Sequence, residues 1–115
     1  MADVSLAPAR AAVGMMRLCR ADAVPEEGGL QVVLPGRSPV AVFRSGSEFF
    51  VTDDECTHGN ASLAEGTVID DEIECPFHLG RFCLRTGAVT RSPCTDPLRT
   101  YSTEVRGEYV YAALV

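Results

Sequence analysis

Short apolar runs rich in β-branched and aromatic residues alternate with turn formers along the chain. Leu30-Gln31-Val32-Val33-Leu34, Val40-Ala41-Val42-Phe43 and Phe49-Phe50-Val51 are separated by Pro35-Gly36 and Ser45-Gly46-Ser47, a pattern that predicts an antiparallel meander. Thr67-Val68-Ile69, Ile73-Glu74-Cys75, Arg81-Phe82-Cys83-Leu84, Thr100 to Val105 and Tyr109-Val110-Tyr111 continue it, with turns at Asp70-Asp71, Thr86-Gly87 and Arg106-Gly107. Strands at this spacing predict an all-β sandwich or barrel. The best helix candidate is Leu6 to Met16, which is Ala-rich but carries Pro8 and Gly14. Residues 1–14 are accordingly expected to be a loosely ordered extension, and residues 15–115 one domain.

Composition narrows the picture. At 115 residues the chain has room for one core. The net charge of -6 and a pI near 4.8, with no Lys/Arg run, make nucleic acid a poor partner. No run of apolar residues is long enough to cross a bilayer, and the first residues lack the layout of an export leader, so a cytoplasmic location is expected. Five cysteines in a reducing compartment argue against a disulfide framework and for metal ligands or buried thiols.

Chemistry concentrates in two short motifs. Cys56-Thr57-His58 and Cys75-Pro76-Phe77-His78 are C-x-H and C-x-x-H pairs, each able to close on a metal from one loop. Thiolate and imidazole suit borderline and soft metals, and two cysteines on one iron with two histidines on the other is the Rieske [2Fe-2S] arrangement. Gly59 and Gly80 follow the histidines and are expected to let backbone approach the cluster. A structural Cys2His2 zinc site uses the same atoms, but zinc fingers usually pair Cys with Cys and His with His.

The segments Cys-Thr-His-Gly-Asn-Ala-Ser-Leu-Ala-Glu-Gly at 56–66 and Cys-Pro-Phe-His-Leu-Gly-Arg-Phe at 75–82 resemble the Rieske ferredoxins of bacterial aromatic-ring-hydroxylating dioxygenase systems. The resemblance runs from about Arg17 to the C-terminus. It implies a Rieske fold, with a larger antiparallel base and a small cluster-binding subdomain. It also implies one [2Fe-2S] cluster on Cys56, His58, Cys75 and His78, and a Pro93 to Pro97 loop that packs over the cluster. Its expected partners are a flavin-dependent NAD(P)H reductase as electron donor and a terminal Rieske oxygenase as acceptor, each docked transiently by a monomer.

Imidazole in place of thiolate makes the cluster less negative, lifting potentials from about -400 mV into a range of roughly -150 to +300 mV. High-potential Rieske proteins add a disulfide and Ser and Tyr hydroxyls near the cluster, where this chain has Ala61, Phe77, Gly80 and Phe82. A low-potential centre is therefore expected. With only two histidines, both used as cluster ligands, none is left for a 2-His-1-carboxylate oxygenase iron. No nucleotide-binding glycine fingerprint is present either. These features describe a carrier, with a small Rieske subunit of another oxidoreductase, such as a nitrite reductase, as the alternative.

Around the cluster, Asn60, Ala61, Phe77, Leu79 and Pro93 are expected to form an apolar docking patch, with Asp53, Asp54 and Glu55 steering a basic partner. Cys19, Cys83 and Cys94 are expected to be buried thiols, and Tyr101, Tyr109 and Tyr111 to pack across strands.

Overall fold

The computed structural model describes residues 14–57, 59–77 and 79–114. Eleven strands make up nearly all of its regular structure among these residues: β1 (Met15–Arg20), β2 (Gly29–Val32), β3 (Val40–Ser45), β4 (Glu48–Asp53), β5 (Thr67–Ile69), β6 (Glu72–Glu74), β7 (Arg81–Cys83), β8 (Val89–Arg91), β9 (Thr100–Tyr101), β10 (Thr103–Arg106) and β11 (Tyr109–Ala113). They form three antiparallel sheets, ordered β1-β11-β10, β2-β3-β4-β9 and β5-β6-β7-β8.

The first two sheets form the base. Val24, Val40, Val42, Val51, Val110 and Ala112 fill the space between them. Ala41 and Phe43, on the opposite face of β3, join a second core with Leu63, Val68, Ile73 and Phe82 beneath the third sheet. Successive strand residues point to opposite faces, and here both faces are buried. That is why the run Val40 to Phe43 carries no polar alternation: β3 is shared by two cores.

The hairpin chemistry is local. Asp70 and Asp71 both have positive φ, 52° and 64°, as a two-residue type I′ turn between β5 and β6 requires, and Asp tolerates this region better than most residues.

Three expectations are corrected. Met15 and Met16 lie in β1, where they pair with Ala113 and Ala112, so the helix expected to reach Met16 does not extend there; residues 6–13 of it lie outside the described residues, as does all of the expected extension except Gly14. Sheet hydrogen bonds to β11 outweigh the modest helical preference of this segment. The Thr100 to Val105 run is two strands, because the chain changes sheets at Ser102: β9 pairs with β4 and β10 with β11. Strand β8, which the sequence pattern did not reveal, closes the third sheet against β7 with a shift of register.

A clasp joins the base to the third sheet. Arg85, just past β7, pairs with Glu48 of β4 and with Asp71 of the β5–β6 turn, 2.9 Å away. Ser45 Oγ also donates to Asp71, at 2.7 Å.

Candidate metal centre

Three loops meet at one end of the third sheet. The first leaves β4 through Asp54, whose carboxylate is only 4% exposed and accepts hydrogen bonds from Gln31 Nε2 (2.8 Å), Ser62 Oγ (2.9 Å) and the Ala64 N–H (3.0 Å). The Asp54 carbonyl accepts the Leu63 N–H at 2.7 Å, so one residue holds both ends of the loop. Within it the Cys56 N–H donates to the Ala61 carbonyl at 3.0 Å, and the Gly59 N–H to the Cys56 carbonyl at 3.2 Å.

The second loop, between β6 and β7, repeats this closure. The Cys75 N–H donates to the Gly80 carbonyl at 2.8 Å and the Leu79 N–H to the Cys75 carbonyl at 3.1 Å. In each loop the cysteine N–H bonds the carbonyl five residues on, and both cysteine side chains are buried in the same core. Leu79 takes a φ of 62° to make the turn.

The third loop, after β8, carries Cys94 between Pro93 and Pro97. Thr57 Oγ1 donates to the Asp96 carbonyl at 2.8 Å and ties it to the first loop. Cys94 is 3% exposed and belongs to the core that holds Cys56 and Cys75. Burial pushes its thiol pKa up. The chain accommodates it at Gly80, where any Cβ would overlap the Cys94 sulfur.

Gly80 therefore meets a requirement of the third loop, whereas among the described residues no atom beyond the chain neighbours of Gly59 lies within 4 Å of its Cβ position. The sequence signal for Cys94 was weak, since a thiol beside strands usually reads as filler. Cys19 and Cys83 are only partly buried, a departure from the expected pattern. Tyr101, Tyr109 and Tyr111 do pack across strands as expected, with Tyr101 and Tyr111 buried and Tyr109 under the Arg17 guanidinium.

The acidic group before Cys56 also differs from expectation. Asp54 is a buried clamp, and Asp53 is half-buried, accepting from Tyr101 Oη and lying 3.5 Å from Arg37. Of the three, only Glu55 is exposed. In the expected docking patch, Ala61 is buried at 3% and belongs to the core. Phe77 and Leu79 are the large apolar side chains at the surface there, 62% and 49% exposed, with Asn60 and Pro93 also exposed.

His58 and His78 lie outside the described residues. Among the described residues, no group of three His, Cys, Asp or Glu is arranged to hold a metal ion. Two buried thiols at matched loop positions, each with a histidine two or three residues on, form the donor set that a mixed Cys/His iron–sulfur centre needs.

Comparison with known proteins agrees. The family model described as "Rieske [2Fe-2S] domain" matches residues 14–102. The chain belongs to the Rieske [2Fe-2S] domain family. It is 53% identical to "Ferredoxin CarAc" of Metapseudomonas resinovorans over 68% of this chain and 73% of that protein. It is 43% identical to the "Biphenyl dioxygenase ferredoxin subunit" of Pseudomonas sp. (strain KKS102) over 82% of this chain and 86% of that one. A solved structure titled "Complex of reduced oxygenase and oxidized ferredoxin in carbazole 1,9a-dioxygenase" contains a chain that superposes with a TM-score of 0.80 at 44% identity, covering 86% of this chain and 92% of that one. Membership of the Rieske family brings one [2Fe-2S] cluster as cofactor, and the relatives named as ferredoxin subunits of dioxygenases mark the chain as an electron carrier and not the catalytic component. The expected all-β Rieske fold is the one observed, with the base and the three-loop subdomain in place. No helix among the described residues is long and apolar enough to cross a membrane.

Proposed function

We propose that this chain is the ferredoxin component of an aromatic-ring dioxygenase system. It accepts single electrons from a flavin-dependent NAD(P)H reductase and delivers them to the Rieske centre of the terminal oxygenase. Its cluster ligands are Cys56 and Cys75 on one iron and His58 and His78 on the other. When bound, the cluster supplies reversible one-electron redox chemistry. The observation that carries this reading is the convergence of Cys56 and Cys75 in one buried core at the tips of two like-closed loops.

The residues divide the work. Asp54 and the backbone closures hold the ligands rigid, while Phe77 and Leu79 offer a small apolar surface beside the second ligand pair. A small interface suits transient redox docking. The relatives named as dioxygenase ferredoxin subunits, and the oxygenase–ferredoxin complex among the similar structures, support an oxygenase as acceptor. The monomeric state and a cytoplasmic location belong to the same proposal.

The potential follows from the hydroxyls. Thr57 Oγ1 donates to the Asp96 carbonyl and Ser62 Oγ to Asp54, so the single proton of each hydroxyl is already committed. Fewer donors leave the reduced cluster less stabilised, and the midpoint falls near the bottom of the Rieske range, at about -150 mV. Absorption and EPR spectra before and after dithionite, followed by a potentiometric titration, test both claims. A colourless, EPR-silent zinc protein, or a midpoint above zero, would overturn them.

A further inference from the structure

We propose that Gly66 is a positioning residue for the cluster: its lack of a side chain sets the spacing between the two ligand loops, and with it the separation of Cys56 from Cys75. The inference rests on both cysteines being ligands of one iron.

The contact itself is between main chains. Gly66 follows the 3-10 turn Leu63–Glu65 and leads into β5. Any Cβ on it would overlap the carbonyl of Glu74, the residue before Cys75, and would stand 3.2 Å from the Leu63 carbonyl. Its φ of -84° and ψ of -168° are extended backbone open to any residue type, so close approach and not backbone conformation calls for glycine here.

This contact lies on a short path between the two ligands. On one side the Gly66 N–H donates to the Leu63 carbonyl at 2.9 Å, and the Leu63 N–H to the Asp54 carbonyl at 2.7 Å, two residues before Cys56. On the other, Thr67 faces Glu74 in the β5–β6 ladder, and Glu74 leads directly into Cys75. A carbonyl has no rotamer to change, so a side chain at position 66 parts the two segments and carries the ligand loops with them. Gly80, by contrast, faces the movable side chain of Cys94.

Two thiolates on one iron require a fixed separation of their sulfurs, and the surrounding protein has to hold it. A wider gap strains the iron–thiolate bonds or costs one of them, and the spectrum of the cluster reports either change.

Gly87 supplies the control. A Cβ there would overlap the Leu98 carbonyl, again main chain, at a residue whose φ of 80° already favours glycine. Leu98 shares the core of Cys56 and Cys75, but the Gly87 N–H bonds Cys83, at the end of β7 away from the second ligand loop. G87A thus costs at least as much packing as G66A without wedging the ligand loops apart.

Both variants are compared with the wild-type holoprotein by EPR of the reduced state, by the rate at which a ferrous chelator strips iron, and by urea unfolding. In G66A the g-values are expected to shift and iron loss to quicken about tenfold, an ordinary overpacking penalty read as a rate ratio. G87A is expected to keep wild-type g-values even where it unfolds at lower urea than G66A. The same spectral change in both variants, or none in G66A, overturns the proposal, because a general loss of packing predicts the first and a tolerant contact the second. A G66A chain that does not fold also overturns it, since a spacing role leaves the base, with its separate core, intact. A G66A chain that folds but takes up no iron, where G87A takes it up, supports it. Should G87A not fold, G66A decides alone, and unshifted g-values count against spacing. A wild-type protein without a Rieske signal would sink the functional reading, whereas a normal wild-type signal with G66A behaving as G87A sinks only this inference.

Discussion

The amide of Gln31 donates a 2.8 Å hydrogen bond to the carboxylate of Asp54, joining the β2 edge of the base to the start of the first ligand loop. Ser62 and the Ala64 N–H complete the coordination of the same carboxylate, so an acidic residue next to Cys56 works as a buried clamp. Removing one partner from a buried hydrogen-bonded set leaves the others unsatisfied, at about 1–3 kcal/mol each.

Asp54→Ala is therefore expected to destabilise the protein by about 3 kcal/mol, with Ser62→Ala costing about 1 kcal/mol. Urea unfolding of the holoprotein measures both. Equal, small losses would mean that the clamp carries little.

Glu55 is the acidic group of this segment that can meet a partner. Glu55→Lys is expected to slow reduction by the reductase several-fold at low salt, with the difference shrinking as ionic strength passes about 0.1 M. Stopped-flow reduction at several salt concentrations checks it. Charge reversal at Asp53 or Asp54 would instead report on folding, since those carboxylates are engaged inside the protein.

Gly80 and Cys94 should behave as a coupled pair. Gly80→Ala places a methyl against the Cys94 sulfur and is expected to cost about 1–3 kcal/mol and to lower cluster occupancy. Adding Cys94→Ala makes room for that methyl, so the double variant is expected to be more stable than the sum of the single losses predicts. Additive losses in a double-mutant cycle would show that Gly80 is constrained elsewhere.

The Arg85 clasp predicts a pH effect. Hydrogen bonds from Ser45 and then Arg85 hold the Asp71 carboxyl below its ordinary value of 3.8, and Arg85 holds Glu48 below 4.5. Depressed carboxyl pKa values stabilise the fold above the unfolded values, and that stabilisation is lost as the pH falls through the folded ones. Arg85→Ala is expected to leave a protein whose stability depends less on pH below about 4.5. Thermal unfolding from pH 7 to pH 3 reads this out; parallel curves for variant and wild type would exclude the clasp.

Much of the site was legible from residues alone. Two Cys/His pairs in loops between strand-like runs name the candidate ligands and the cofactor, because ligand type and loop spacing are local properties of the chain. Most strands were legible too, since β-branched runs between turn formers need no tertiary information to be seen. Local signals failed at Met15 and Met16, whose strand exists only because β11 supplies the partner, and at Ser102, where a continuous strand-like run changes sheets.

The sequence by itself thus determined the candidate donor set, the all-β class and that no histidine beyond His58 and His78 is present in it for an oxygenase iron. Only the tertiary structure decided that Asp54 is a clamp and not a docking charge, that Ala61 is core and not surface, that β3 serves two cores, and that the Cys94 sulfur packs onto Gly80. Burial and side-chain pairing are sums over segments far apart in the chain, and no local pattern of residues records which distant surface will cover them.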